Sequence, residues 1–233
     1  MPPLRLNWCA GCGGGHNFGD QLGPILLRHY GIKVEWAKPA QAEIITVGSI
    51  LSKIPNGWRG IVLGTGFIRR GMTKDLSRAQ VLAVRGVLTR RACNLPPSVP
   101  LGDLGILVSD LPRDIAPRVP ALVIPHYVDA DLAARHPRAA LVPITSDPAA
   151  ILGAIAAADL VISSSLHVLI AADALGVPHI VEPHPLVIGG MFKFRDYASA
   201  FGERILPGVE RLTPRRAMED RQQELRYLVG TLR

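Results

Sequence analysis

What this chain lacks narrows its function before any motif does. Aromatic residues make up only 5% of its 233 positions. No basic run is interleaved with stacking rings, which argues against nucleic acid as a partner. There are only three cysteines, Cys9, Cys12 and Cys93. That small, odd number excludes a disulfide framework and favours a reducing, cytoplasmic compartment. Cys9-Ala10-Gly11-Cys12 is a CxxC, but no second CxxC or His pair stands at zinc spacing. The two cysteines therefore read as packing residues at the end of a strand. The histidines are scattered, so no bound metal is expected. No apolar run reaches membrane-spanning length, and Met1-Pro2-Pro3-Leu4-Arg5 carries no signal-peptide pattern. Acids are in the minority. Lys and Arg total 26 against 19 Asp and Glu, for a formal net charge of +7. Such an excess suits anionic partners: phosphorylated metabolites, acidic glycans, or an anionic membrane surface touched from the side.

What is present is an alternation of short apolar strands and helical segments. Strands are expected at Leu4–Cys9, Lys33–Trp36, Glu43–Val47, Gly60–Leu63 and Val81–Val84. A second series follows at Ala121–Ile124, Ala140–Pro143, Leu160–Ile162 and His179–Val181. Continuous runs such as Ile61-Val62-Leu63 and Leu160-Val161-Ile162 suit strands of a parallel sheet covered on both faces. Helices are expected at Asp20–Tyr30, Val87–Cys93, Pro148–Ala157, Leu166–Leu175, Lys193–Phe201 and Pro214–Leu232. The pattern predicts an α/β fold. Between Leu111 and Pro120, three prolines block both helix and central strand. This linker divides the chain into residues 1–112 and 113–233, two Rossmann-like halves facing a cleft that the linker would let close. The last helix is expected to pack back across both halves.

The strand ends carry the candidate chemistry, because open α/β sheets bind ligands outside the carboxyl ends of their strands. After the first strand comes Gly11–Leu22, rich in glycine; no Gly-Lys-Ser/Thr follows it, which excludes a P-loop. Asn17, Gly19 and Asp20 either cap and turn the chain there or line the cleft against a hydroxylated substrate. Gly64-Thr65-Gly66 ends another strand. Arg85, between a strand and a helix, is placed to clamp a phosphate or carboxylate with two prongs. Gly102-Asp103 is a further strand-end loop with an acid. His126 closes the first strand of the second half, as a structural residue or a ligand contact. The strongest signal is Ser163-Ser164-Ser165-Leu166-His167. There an apolar strand meets three hydroxyls, and His167 falls on the first turn of an alanine-rich helix. A helix N-terminus favours an anion and lowers the proton affinity of a nearby histidine, while a bound phosphate raises it.

Taken in order, these motifs resemble the polysaccharide pyruvyl transferase family. The matching pieces are Asn17-Phe18-Gly19-Asp20-Gln21-Leu22, Gly64-Thr65-Gly66, Val84-Arg85-Gly86, Gly102-Asp103, Ile124-Pro125-His126, Ser163 to His167 with the helix to Gly176-Val177-Pro178, and Lys193-Phe194-Arg195-Asp196-Tyr197. The resemblance implies a glycosyltransferase-B-like fold. It also implies transfer of the enolpyruvyl unit of phosphoenolpyruvate to a hexose of a bacterial polysaccharide or its lipid-linked precursor, forming a ketal and releasing phosphate. No cofactor is implied, since phosphoenolpyruvate is the donor substrate. Arg85 and His167 match positions important in the family, and Asp20 by its position would orient or deprotonate an acceptor hydroxyl. Lys193, with Arg85 and the serines, would meet the donor's charges. Many members carry Arg two residues before the motif histidine, where this chain has Ser165. Two other readings compete: a nucleotide-sugar glycosyltransferase of the same architecture, and a non-catalytic module that binds an anionic glycan or phosphate.

Overall fold

The computed structural model describes residues 2–10, 17–129 and 131–233. Two five-stranded sheets form the framework. The first holds β1 (Leu4–Asn7), β2 (Val34–Trp36), β3 (Ile44–Ile45), β4 (Ile61–Leu63) and β5 (Gln80–Ala83), all parallel, in the order β2-β1-β3-β4-β5. The second holds β6 (Leu122–Val123), β7 (Ala140–Leu141), β8 (Val161–Ser163), β9 (His179–Val181) and β10 (Glu210–Arg211), in the order β10-β9-β8-β6-β7. Only β10 runs antiparallel. The helices are α1 (Phe18–His29), α2 (Val87–Ala92), α3 (Leu132–Arg135), α4 (Pro148–Ala156), α5 (Leu166–Ala174), α6 (Phe192–Ser199) and α7 (Arg215–Gly230). The protein is thus α/β with two mostly parallel, Rossmann-like sheets.

Both sheets follow one winding. In each, the second strand added lies outside the first, and the third lies on the first strand's other side. Strand order therefore reverses between β1 and β3, and again between β6 and β8. A crevice opens at such a switch point because the connections leave it toward opposite faces. The segments after these four strands supply most of the site described below.

The layer between the sheets is apolar. Helices α1 and α5 and a 3-10 helix over Leu104–Asp110 pack on one another. One core cluster runs from Leu6 and Leu22 through Ile106 and Ile170 to Leu122 and Val161. Helix α5 is buried on almost every side, and its alanines permit the close approach. The Pro-rich segment after Leu111 joins the sheets, but a hinge there would have to open this shared core. Helix α7 packs on the 3-10 helix over Leu104–Asp110. Arg226 makes two hydrogen bonds to Asp110 (2.7 and 2.6 Å), and the Gln222 amide donates to the Ile106 carbonyl at 3.0 Å.

Candidate active site

A cavity of about 290 Å³ opens where the switch points of the two sheets meet. The segment after β1 contributes Asn17 and Asp20, and that after β3 contributes Ser49 and Lys53. His126 and Tyr127 follow β6, Ser165 and His167 follow β8, and Lys193 enters from α6. Six of the residues singled out in the sequence thus share one cavity: Asn17, Asp20, His126, Ser165, His167 and Lys193.

Helix α5 presents its N-terminus to this space. Its N-cap, Ser165, makes no side-chain capping bond, and the Leu166 and His167 N–H groups have no acceptor among the described residues. The other two serines have a different task. The Ser163 hydroxyl donates to the Ile124 carbonyl at 2.5 Å and accepts from the Ser165 N–H at 2.9 Å. The Ser164 hydroxyl accepts from the His126 N–H at 3.0 Å. Ser163 and Ser164 are therefore spent on fixing the β8–α5 turn against the segment after β6, and only Ser165 lines the cavity.

Lys193 is buried and makes no hydrogen bond or ion pair with a described residue; its ammonium lies 5.4 Å from the Phe194 ring centroid. Burial, with help from Arg85, brings its pKa down to about 8, against the opposing pull of Asp20. Burial lifts the Asp20 carboxyl to about 6, opposed by Lys53 and Lys193. His126 is lowered to about 4, mainly by burial and then by Lys193; its ring stacks on Tyr127 at 4.3 Å. His167 is pushed down to about 3 by burial and by the charges of Arg85 and Lys193. An unpaired, buried ammonium facing an uncapped helix N-terminus is a site for an anion.

Several expectations are corrected. Arg85 is fully buried and does not line the cavity. Each of its nitrogens has a protein partner: Nε donates to Asp196 at 3.0 Å, Nη1 to Ser49 at 2.8 Å, and Nη2 to the Phe67 carbonyl. It stands one layer behind the wall, holding Ser49 and projecting its charge, rather than clamping a ligand. The Gly64–Gly66 turn serves that layer. The Thr65 hydroxyl donates to the Gly48 carbonyl at 2.7 Å, and a Cβ on Gly66 would sit 2.7 Å from the Arg85 guanidinium carbon. Gly64 has φ +83°, and a Cβ there would lie 2.6 Å from the Leu104 nitrogen. Gly19 is likewise a spacer, since a Cβ on it would strike the His167 ring. The cap on α1 is Asn17, whose side chain accepts from the Gly19 N–H at 3.0 Å, which leaves Asp20 free to line the cavity. Cys9 lies beyond the end of β1, part-exposed at the cavity edge, and is disulfide-bonded rather than a packing residue. That removes one support for a reducing compartment. Residues 11–16, with Cys12 and the glycine run, lie outside the described residues.

Three cavity residues, Ser49, Lys53 and Tyr127, are not singled out by the sequence, and Asp103 is given no role there. Ser49, Lys53 and Tyr127 all follow strands that were foreseen, so scanning every strand end would have reached them. Asp103 was noted only as a strand-end acid. It is fully buried, and its carboxylate approaches His167 Nε2 at 3.8 Å.

Among the described residues no helix is long and apolar enough to cross a membrane. No curated protein and no solved structure gives a match to the chain. The family model described as polysaccharide pyruvyl transferase matches residues 12–184. That span covers most of the chain and takes in His167 and the cavity-lining segments from Asn17 to His167. The chain therefore belongs to the polysaccharide pyruvyl transferase family.

Proposed function

We propose that this protein transfers the enolpyruvyl unit of phosphoenolpyruvate to a hexose of a polysaccharide or its lipid-linked precursor, closing a cyclic ketal and releasing phosphate. The observation that carries this is the uncapped start of α5, with His167 on its first turn, facing the unpaired Lys193 across one cavity. Phosphoenolpyruvate brings a phosphate and a carboxylate. The Leu166 and His167 N–H groups and Lys193 suit the phosphate, and Lys53 suits the carboxylate. No cofactor takes part.

In the empty site His167 is neutral at pH 7. The donor's negative charge beside the ring raises its proton affinity and readies it as an acid. His167 protonates the methylene carbon, which leaves C2 electrophilic. One sugar hydroxyl adds to C2, a second displaces the phosphate, and of the two hydroxyl protons one returns to the site and one leaves with phosphate. Asp20, with its carboxyl raised to about 6, is the acceptor-side base. The exposed Tyr127 ring at the cavity offers an apolar face to the sugar. Residues 1–112 would hold the acceptor and 113–233 the donor, an arrangement like glycosyltransferase-B folds. Leu186 and Ile188 are exposed on the segment that leads to α6, and Gly189 packs on Ile68, which precedes the exposed Arg69 and Arg70. This apolar and basic rim suits a lipid-linked acceptor at an anionic membrane.

Incubation of hexose-containing glycans with phosphoenolpyruvate and the protein should give phosphate and a mass gain of one pyruvate less one water. His167→Ala should lower turnover by roughly 10²–10⁴-fold, the usual worth of a positioned acid. Hexose transfer from a nucleotide sugar, with no phosphate released from phosphoenolpyruvate, would overturn the assignment.

A further inference from the structure

Behind His167 lies a second buried group. Asp103 caps the 3-10 helix over Leu104–Asp110, and its Oδ1 accepts the Gly105 N–H at 2.9 Å. Its Oδ2 has no hydrogen-bond partner, and neither has His167 Nε2. Both atoms are buried, and they face each other at 3.8 Å. Leaving two polar atoms unsatisfied in one dry gap is unfavourable twice over, and a proton held between them satisfies both. The surroundings keep the pair in register. Gly19 leaves room for the ring on its Nδ1 side, and a Cβ on Gly105 would stand 3.1 Å from Asp103 Oδ1 and 3.8 Å from His167 Cδ2.

We propose that Asp103 is the positioning residue and proton store of His167, holding the ring through Nε2 and refilling it as Nδ1 gives up its proton. The proposal rests on His167 being the acid of the pyruvyl transfer. In that step the π electrons of the methylene carbon take the Nδ1 proton and form the new C–H bond. The imidazole takes the Asp103 carboxyl proton at Nε2, so the ring stays neutral and Asp103 becomes a carboxylate. The proton of the first sugar hydroxyl to add at C2 then restores the pair. The separation is longer than a hydrogen bond, as is common before substrate binds.

The charges around the pair favour this placement of the proton. Arg85, Lys193 and His126 all oppose a proton on the imidazole. Burial lifts Asp103 to about 7, with Arg85 opposing and Asp196 adding to the lift.

The test uses Asp103→Asn, with Asp103→Glu as the variant that keeps the acid. In the unliganded wild type, nitrogen NMR of labelled histidine should show the His167 Nε2 signal stepping near pH 7, as Asp103 loses its proton. The step should vanish in Asp103→Asn. Wild-type turnover should decline above pH 7; turnover of Asp103→Asn should fall by on the order of 10²-fold and lack that decline. Calorimetric affinity for phosphoenolpyruvate should stay within about threefold of the wild type, because the side chain does not touch the donor. Asp103→Glu should recover part of the turnover and the pH limb. A step that persists in Asp103→Asn overturns the proposal, as does an unchanged pH limb. Should the Asn variant fail to fold, an Nε2 signal flat from pH 5 to 9 in the wild type overturns it alone. The NMR readout involves no pyruvyl transfer, so its failure is distinct from failure of the assigned reaction.

Discussion

Arg85 and Lys193 began as similar candidates, two cations for one anion, and the fold gives them opposite tasks. Lys193 is buried in the cavity without a hydrogen bond or ion pair to a described residue, whereas Arg85 is paired with Asp196 and enclosed. Replacing Lys193 with Met should weaken phosphoenolpyruvate binding roughly 10- to 100-fold, the worth of a charge-assisted hydrogen bond. The ammonium is the binding form. Wild-type affinity should therefore fall as pH rises through about 8, and the variant should lack that fall; calorimetry from pH 6.5 to 9.5 measures both. Arg85→Lys should act on stability instead. A single ammonium cannot reach three acceptors spread around the guanidinium fork, and disturbing a buried pair costs about 3–5 kcal/mol when a charge is left uncompensated. Urea unfolding decides: an unchanged midpoint with lost donor affinity would restore Arg85 as a clamp. Sequence alone marked both residues as charged, Arg85 at a strand end and Lys193 at the start of a helix. Only burial separates a ligand contact from a scaffold charge, and burial of a given arginine is set by residues over 100 positions away, such as Asp196.

At the scale of elements, α5 and α1 meet through a single missing side chain. Gly19 occupies the first turn of α1, where alanine would ordinarily favour the helix by about 1 kcal/mol. Gly19→Ala should nevertheless lower turnover at least tenfold, because the added methyl must displace the His167 ring. Steady-state kinetics with circular dichroism on the same sample tests this, and full activity would place the ring elsewhere. The apolar runs at β4 and β8 and all six long helical segments were legible, because their periodicity and capping are local properties. Strands proved shorter than expected at β1, β3 and β7, since pairing ends where the neighbouring strand ends. Helix α3, strand β10 and the 3-10 helix over Leu104–Asp110 were not foreseen. The last reads as a plain apolar run and is held as a helix by α1, α5 and α7.

For the whole molecule, the shared core has a consequence for unfolding. All three tryptophans, Trp8, Trp36 and Trp58, belong to the first half. Two independent halves would give a tryptophan transition separate from that of overall secondary structure. One core through α1, Leu104–Asp110 and α5 predicts that tryptophan fluorescence and far-ultraviolet circular dichroism will report coincident urea transitions. Separated midpoints would show that the halves unfold alone, and a hinge at the Pro-rich segment would then regain its force.

The sequence by itself determined the α/β class, the two strand series, the start of α5 with His167 on its first turn, and the family. Each is written in local order: alternation of apolar runs, three serines between a strand and a helix, motifs in succession. Tertiary structure decided which of those motifs meet. The repeated winding of the two sheets brings four strand ends to one crevice, and this selects Ser165 over Ser163 and Ser164 and Lys193 over Arg85. It also sets Asp103, 64 positions from His167 in the chain, against the imidazole's buried nitrogen. Distances between side chains on different strands follow from sheet order and helix packing, and neither is encoded in any one segment.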